Sequence, residues 1–158
     1  MVPWSFLAYS NAIILHPIGI VRRQFPNEEV NDTELVSKII IDKKYAEGLH
    51  GIEEWSHLYV IFWMHKIMEN KKALCLGSDH NMPPTGIFAT RAPIRPNPIG
   101  LTLVRLLRRE ENVLHIAGLD ALDGTPVLDL KPYPYWVNGR WIVVTDYKTP
   151  PYFKKINE

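Results

Sequence analysis

Apolar and polar residues follow one another in short runs along this chain, and most of these runs are typical of β-strands. Residues 13–22 and 35–41 are rich in β-branched residues. Residues 58–64 are apolar without alternation, which predicts a strand buried on both faces. The other predicted strands are 101–107 and 113–117, which form a hairpin around the charged segment 108–112, and 125–133.

One helix is predicted, over residues 43–55, where Gly48 and Gly51 limit its length. Prolines are frequent in the second half of the chain and exclude regular helix there. Residues 149–155 predict an extended C-terminal tail. Several short strands, few helices and many turn residues indicate a mainly β protein, either a small barrel or a sandwich.

The composition is that of one ordinary globular domain. With 158 residues, of which 46% are hydrophobic, the chain can bury a core without disulfides. The net charge of +1 gives no global basic field, so any contact with nucleic acid needs a local patch. The single cysteine, Cys75, excludes an intramolecular disulfide and fits a reducing compartment. No apolar run approaches the length of a membrane span, so we expect a soluble cytoplasmic protein without membrane contact.

Known sequence signatures narrow the chemistry further. None of the six histidines forms HxxxH, HExxH or a Cys/His ligand spacing, and we therefore expect no metal site. The signatures of Rossmann and P-loop nucleotide sites are also missing. His65 and Lys66 directly follow the 58–64 strand, and strand ends are where barrels and sheets open onto ligands. The alternative is that this pair marks the point at which the chain re-enters water.

The segment RAPIRPNPIG, at residues 91–100, is a polar loop stiffened by three prolines. It presents Arg91, Arg95 and Asn97 and runs directly into the next predicted strand. A stiff loop loses little entropy when it binds a ligand, which favours a functional role. The alternative is a surface crossover whose prolines prevent edge pairing.

The segment DGTPVLDLKPY, at residues 123–133, begins with a turn and continues as a predicted strand. Strand alternation places Leu128 and Leu130 on one face. The predicted members of the other face are Val127, Asp129, Lys131 and Tyr133. A carboxylate, an ammonium and a phenol in a row could bind or protonate a substrate. The alternative, which the residues alone favour, is a solvated strand face with an ordinary ion pair.

Arginines are the candidates for a local phosphate patch. The set consists of Arg22, Arg23, Arg95, Arg105, Arg108, Arg109 and Arg140. The alternative is that most of them are solvated surface charges. Arg108 and Arg109 precede two glutamates, Glu110 and Glu111, and this cluster is close to neutral.

Four segments together resemble the TsaA-like (TrmO) tRNA methyltransferases. They are GIEEWSHL at 51–58, GIFATR at 86–91, RPNPIG at 95–100 and DGTPVLDLKPY at 123–133. The resemblance extends from about residue 17 to 135. It implies a single small β-barrel over residues 1–158, with a core at about 13–147 and one or two short helices. It also implies binding of S-adenosylmethionine, a homodimer with the cofactor near its interface, and methylation of N6 on a threonylcarbamoyl-modified adenosine beside the tRNA anticodon.

The resemblance also implies roles for individual residues. The cofactor contacts fall on His65, Lys66, Arg91, Leu101, Asp123, Gly124, Thr125 and Pro126, with a further role at Gln24. Arg91 or Lys66 is expected to hold the methionine carboxylate, and the amides of the turn are expected to serve the adenosine.

The reaction requires a base for the N6 proton, and we expect Asp129 or Asp123 in this role. Lys131 or Tyr133 would polarise the neighbouring carbonyl. Arg95 and Asn97 are expected to face the substrate or to hold their loop against the Asp123 turn. Two alternatives stay open: a non-catalytic module that binds S-adenosylmethionine or a related nucleoside, and an interaction protein whose aromatic residues form a dimer.

Overall fold

The computed structural model describes residues 13–23, 35–67, 75–76, 85–137 and 140–143. These residues form ten strands, several of them from short runs of β-branched and aromatic residues. They are β1 (Gly19–Arg23), β2 (Val36–Ile41), β3 (His57–Trp63), β4 (Cys75–Leu76), β5 (Thr85–Gly86), β6 (Ile99–Glu110), β7 (Val113–Ala117), β8 (Pro126–Pro132), β9 (Pro134–Val137) and β10 (Arg140–Val143).

Six of these strands close into an antiparallel barrel in the order β1-β2-β7-β6-β3-β8. The closure leaves no open sheet edge in the barrel. The remaining strands form two small pairs, β4 with β5 and β9 with β10. The predicted mainly β barrel is therefore confirmed. The predicted domain limits stay a prediction, and the tail at 149–155 lies outside the described residues.

The predicted helix at 43–55 is two short 3-10 helices, Lys43–Leu49 and Ile52–Glu54. Asp42 caps the first, because its side chain accepts a hydrogen bond from the Lys44 amide at 3.2 Å. Gly51 separates the two with a φ of 77°, a conformation that glycine adopts without strain. A third 3-10 helix, Ile87–Ala89, was not predicted. In the ranges that the structure describes, no helix is long and apolar enough to cross a membrane.

The core fills the inside of the barrel, and β3 shows how its strands contribute. Leu58, Val60 and Phe62 are buried, whereas Tyr59 and Ile61 are half-buried on the outer side. The prediction of burial on both faces was therefore wrong, since apolar residues on the outside hide the alternation. The buried apolar cluster consists of Val21, Ile39, Ile41, Leu49, Leu58, Val60, Phe62, Val104, Leu114, Ile116, Leu119, Ala121 and Val127.

An irregularity in β8 changes the predicted facing of its residues. Ile61 pairs with Asp129 but Phe62 pairs with Val127, so Leu128 is an extra residue in the ladder. Val127 consequently joins the core, while Asp129 stays outside. The prediction that these two residues share a face was wrong, because the bulge shifts the alternation by one position.

Two other boundaries differ from the predictions. The first strand starts at Gly19, and the preceding residues 13–17 are exposed. The predicted hairpin is present, but β6 continues through the charged residues as far as Glu110. The turn is therefore short, with Glu111 at a φ of 53°.

Candidate functional site

Several predicted site residues meet at one end of the barrel. Because neighbouring strands are antiparallel, the C-terminal ends of β1 and β3 lie beside the N-terminal ends of β6 and β8. We call this region the turn end. It contains His65, Lys66, the turn at 123–126, and Arg22 with Arg23.

The turn at 123–126 is joined to β1 by backbone hydrogen bonds. The Gly124 amide donates to the Val21 carbonyl at 3.0 Å, and the Val21 amide donates to the Thr125 carbonyl at 2.9 Å. The Thr125 amide donates to Leu122 at 3.2 Å. Gly124 has a φ of 78°, the left-handed conformation that permits this turn. The amides of Gly124 and Thr125 therefore already have protein partners, and the expectation that the turn serves an adenosine stays a prediction.

Asp123 fastens the same turn through its side chain. Its Oδ1 accepts a hydrogen bond from the Arg23 amide at 2.9 Å, and its Oδ2 lies 3.7 Å from the Arg22 guanidinium. The Arg23 guanidinium in turn donates to the Ala121 carbonyl at 3.0 Å. Because 44% of the Asp123 side chain is exposed, its carboxylate can still accept from a ligand. Sequence analysis did not associate Arg22 or Arg23 with this turn, since about 100 positions separate them from it.

His65 and Thr125 are brought together by the pairing of β3 with β8. Thr125 is buried, with 2% exposure, and its Oγ1 lies 3.4 Å from Nδ1 of the exposed His65. The His65 amide donates to the Trp63 carbonyl at 2.8 Å, which turns the chain at the end of β3. Lys66 follows and is exposed.

The proline-rich loop is braced from inside. The Arg95 guanidinium donates to the carbonyls of Thr90 and Ala92 at 2.9 and 3.3 Å, and it lies 5.9 Å from the centre of the Phe88 ring. Arg95 therefore braces its own loop from within, by contacts to residues 88–92 rather than to the Asp123 turn, whereas Arg91 and Asn97 are exposed.

The end of this loop is anchored beside His65. The Met64 amide donates to the Pro98 carbonyl at 2.8 Å, and the Ile99 amide donates to the Asn97 carbonyl at 2.7 Å. The loop therefore reaches the turn end just before β6 begins.

The remaining predicted residues lie on the outside of β6, β3 and β8, which we call the outer face. Asp129, Ile61 and Leu101 form one row across the three strands. Lys131 and Tyr59 belong to the next row. The Lys131 ammonium lies 2.7 Å from Oδ2 of Asp129, whose Oδ1 accepts from the Leu130 amide at 2.9 Å. Leu101 is 58% exposed, so this face combines an ion pair with apolar surface.

Tyr133 lies at the edge of the outer face, far from the turn end. Its ring meets Tyr59 edge-on with centroids 5.1 Å apart, and its amide donates to His57 at 3.0 Å. Burial raises the pKa of Tyr59, and the neighbouring Tyr133 adds to this shift. Because His57 and His65 lie at opposite ends of β3, Tyr133 is roughly 25 Å from His65. Tyr59 was missed by sequence analysis, although the alternation within 58–64 would have placed it outside.

A cleft of about 470 Å³ opens beside Asp129, at the barrel end opposite the turn end. It lies between the 3-10 helices and β8, which is paired with β1 at only two positions. Its lining includes Lys44, Tyr45, His50, Trp55, Asp129 and Leu130. Asp129 therefore borders both the outer face and a cleft large enough for a small ligand.

In the described part of the chain, no three His, Cys, Asp or Glu side chains converge as a metal site would require. Gln24 lies outside the described residues, so the role expected for it stays a prediction.

Comparisons with known proteins extend over most of this chain. The family model described as the tRNA-methyltransferase O N-terminal domain matches residues 20–138. An S-adenosyl-L-methionine-binding protein from Archaeoglobus fulgidus is 42% identical over 133 residues, which cover 77% of this chain and 89% of that protein. A tRNA (adenine(37)-N6)-methyltransferase from Mus musculus is 43% identical over 104 residues, covering 65% of this chain and 22% of the mouse protein.

A solved structure has the same fold. The crystal structure of TrmO from Pseudomonas aeruginosa superposes with a TM-score of 0.60 and 33% sequence identity. The match covers 77% of this chain and 56% of the crystallised one. This chain therefore corresponds to about half of that structure and to a smaller part of the mouse enzyme.

Proposed function

We propose, since the chain belongs to the TrmO family of tRNA methyltransferases, that it transfers a methyl group from S-adenosylmethionine to N6 of an adenine in tRNA. The sequence resemblance adds the finer expectation that this adenosine carries a threonylcarbamoyl group and lies beside the anticodon. The mouse relative's name supports position 37 of tRNA, and the archaeal relative's name supports the cofactor. A cytoplasmic location is part of the same proposal.

The observation that carries the proposal is the contact between Thr125 and His65. It joins the end of β3 to a turn that Asp123 ties to β1, so that groups distant in sequence form one rigid surface. A preorganised surface of this kind loses little conformational entropy when it binds a ligand.

The side chains at the turn end match the chemistry of S-adenosylmethionine. Lys66 and Arg91 are exposed cations that suit the methionine carboxylate. The Asp123 carboxylate suits a ribose hydroxyl or the adenine amino group as an acceptor. Leu101 adds exposed apolar surface on the outer face, in the same row as Asp129. When bound, the cofactor supplies an electrophilic methyl group on a sulfonium. The proposed contacts are His65, Lys66, Arg91, Leu101, Asp123, Gly124, Thr125 and Pro126.

Asp129 is the proposed acceptor of the N6 proton. Asp129 is paired with Ile61, which lies four residues before His65 on β3. Asp129 is therefore roughly 13 Å from the turn end, measured along the strand. That proton lies next to a carbonyl and is more acidic than that of a plain amine, so a carboxylate suffices. The ion pair with Lys131 orients Asp129, and one N–H of Lys131 can point to the carbonyl oxygen. Tyr133 lies beyond Lys131, where it can contact the rest of the modified nucleoside.

A homodimer would complete this site. Asp129 and Leu101 lie on the outer face, whereas His65 and Asp123 lie at the end of the same barrel. We propose that a second copy covers the outer face, so that the turn end of one protomer and the outer face of its partner enclose the reacting groups. Asn97 is exposed on the loop and would contact the substrate, while Arg95 keeps the loop in place.

The experiment that tests this function uses labelled S-adenosylmethionine with tRNA that carries or lacks the threonylcarbamoyl group. We expect label in the modified tRNA, and a large decrease for Asp129→Asn while calorimetric cofactor binding is unchanged. Cofactor binding without transfer to either tRNA would instead indicate a non-catalytic binding module. Absence of both binding and transfer would contradict the proposal.

A further inference from the structure

Four neighbouring strands carry a line of basic residues across the barrel. In the register of the sheet, Arg22 of β1 is paired with Lys38 of β2, and Lys38 is paired with His115 of β7. His115 is then paired with Arg108 of β6. We call these four residues the cationic row. With strands about 4.8 Å apart, it is about 14 Å long.

The row lies on the outer side of the strands, because the residues that alternate with it are in the core. His115 itself is only 3% exposed, since its ring contacts Arg108 and Glu110, so the accessible members of the row are Arg22, Lys38 and Arg108. Val21, Ile39 and Leu114 are fully buried. A second bulge, between Leu106 and Arg108, turns Arg108 to the same side as His115. The side chains of Arg22 and Arg108 are 50% and 58% exposed.

The face has a surplus of positive charge. Arg22, Lys38 and Arg108 contribute three cations. Among the described residues of the face, the nearby carboxylates are Glu110, 2.9 Å from Arg108, and Asp123, 3.7 Å from Arg22. Three cations against two carboxylates leave a surplus of one positive charge in this row.

Three of the other arginines that sequence analysis proposed for a phosphate patch contact groups outside the row. Arg109 donates to Leu49 and Glu53 at the opposite barrel end. Arg23 holds the Ala121 carbonyl, and Arg95 holds its own loop. The structure thus separates the sequence candidates and adds Lys38, which was not among them.

We propose that the cationic row binds the phosphate backbone of RNA and leads it towards the turn end. This inference rests on the proposed function, because it names the surface that holds its substrate. Arg22 contacts the Asp123 carboxylate, so the row begins at the proposed cofactor site. The ion pairs of Arg22 and Arg108 are exposed and therefore weak, and a phosphate can replace the carboxylate in each. An acidic protein surface is the competing partner for such a row.

The test measures binding of an unmodified tRNA transcript at several salt concentrations, by fluorescence anisotropy, for Lys38→Glu and Arg108→Glu. Each variant should bind the transcript about three- to tenfold more weakly. The slope of log K, where K is the association constant, against the logarithm of the salt concentration should decrease in magnitude by about 0.7–0.9. Lys43→Glu is the matched control, since Lys43 is exposed on the first 3-10 helix, outside the row. It makes the same charge change and should leave the slope unchanged.

Glu110→Gln provides the opposite change, because it frees Arg108 from its carboxylate partner and should tighten RNA binding.

Equal slopes for the wild type and both row variants would overturn the inference, as would a loss of the same size in Lys43→Glu. The inference would also be overturned if a polyglutamate peptide displaced the transcript as effectively as a second RNA. Calorimetric binding of S-adenosylmethionine should be normal in every row variant. Failure of cofactor binding or methyl transfer in the wild type would contradict the proposed function alone.

Discussion

Thr125 Oγ1 lies 3.4 Å from His65 Nδ1, although 60 positions separate the two residues. Thr125→Val keeps the shape of the side chain but removes the hydroxyl, so the imidazole loses the partner that orients it. We expect affinity for S-adenosylmethionine to decrease about fivefold, as one hydrogen bond of about 1 kcal/mol would give. Isothermal titration calorimetry measures this directly.

Thr102→Val is the control for this change. Thr102 is half-buried in a barrel strand, whereas Thr125 is buried in a turn, and Thr102 lies outside the proposed contacts. It should leave cofactor affinity unchanged, and Thr125→Ser, which keeps the hydroxyl, should restore much of it. Normal affinity in Thr125→Val would exclude a role for this contact in cofactor binding.

The relationship between His65 and Thr125 also shows how far sequence can predict such a site. Each residue was identifiable from its own segment, because strand ends and turns have local signatures. Their proximity depends on β3 pairing with β8, which no local pattern encodes. The motif resemblance predicted the barrel, but it did not predict that Arg23 fastens the Asp123 turn.

Local irregularities explain the main errors of sequence analysis. The bulge at Leu128 reverses the facing of Val127, and no residue type in that segment marks it. Apolar residues on the outside of β3 hide its alternation. Both features arise from the closed barrel, where tertiary packing overrides a simple period of two.

Gly100 lies against the Phe62 ring, and a methyl group at this position would collide with three of the ring carbons. Gly100→Ala must therefore displace Phe62 from the core, where it is 4% exposed. We expect a loss of about 1–3 kcal/mol in the free energy of unfolding, measured by urea denaturation. Phe62→Leu in the same chain should recover part of this loss.

Gly48→Ala is the matched control, because a methyl group there would meet no atom within 4 Å. It should leave stability unchanged or slightly raise it, since alanine restricts the unfolded chain. Equal stability of Gly100→Ala and the wild type would show that the ring does not require a glycine beneath it.

The ionisation of Glu110 makes the free energy of unfolding of the barrel depend on pH. A hydrogen bond from Arg108, followed by one from His115, lowers the pKa of Glu110 below 4.5. Because the folded state holds the proton less tightly than the unfolded state, this contribution is present above pH 4.5 and decreases as the pH falls through the folded pKa. The stability difference between the wild type and Glu110→Gln should therefore shrink in acid.

Urea denaturation between pH 3 and pH 7 tests this expectation. In an Arg108→Leu background the pH dependence of the difference should weaken, because the principal cause of the pKa shift is removed. A difference that stays constant across the range would mean that Glu110 titrates alike in the folded and unfolded chains.

Leu101 tests the proposed dimer. It is 58% exposed on the outer face, and the neighbouring Ile99 is 39% exposed, an arrangement that a second copy would bury. Leu101→Lys places a charge in that interface, so we expect sedimentation to change from dimer to monomer and cofactor affinity to decrease with it. Leu107→Lys is the matched control, because Leu107 is 41% exposed on the same strand but outside the outer face. A wild-type chain that sediments as a monomer, with or without S-adenosylmethionine, would exclude a shared site and require each barrel to bind its cofactor alone.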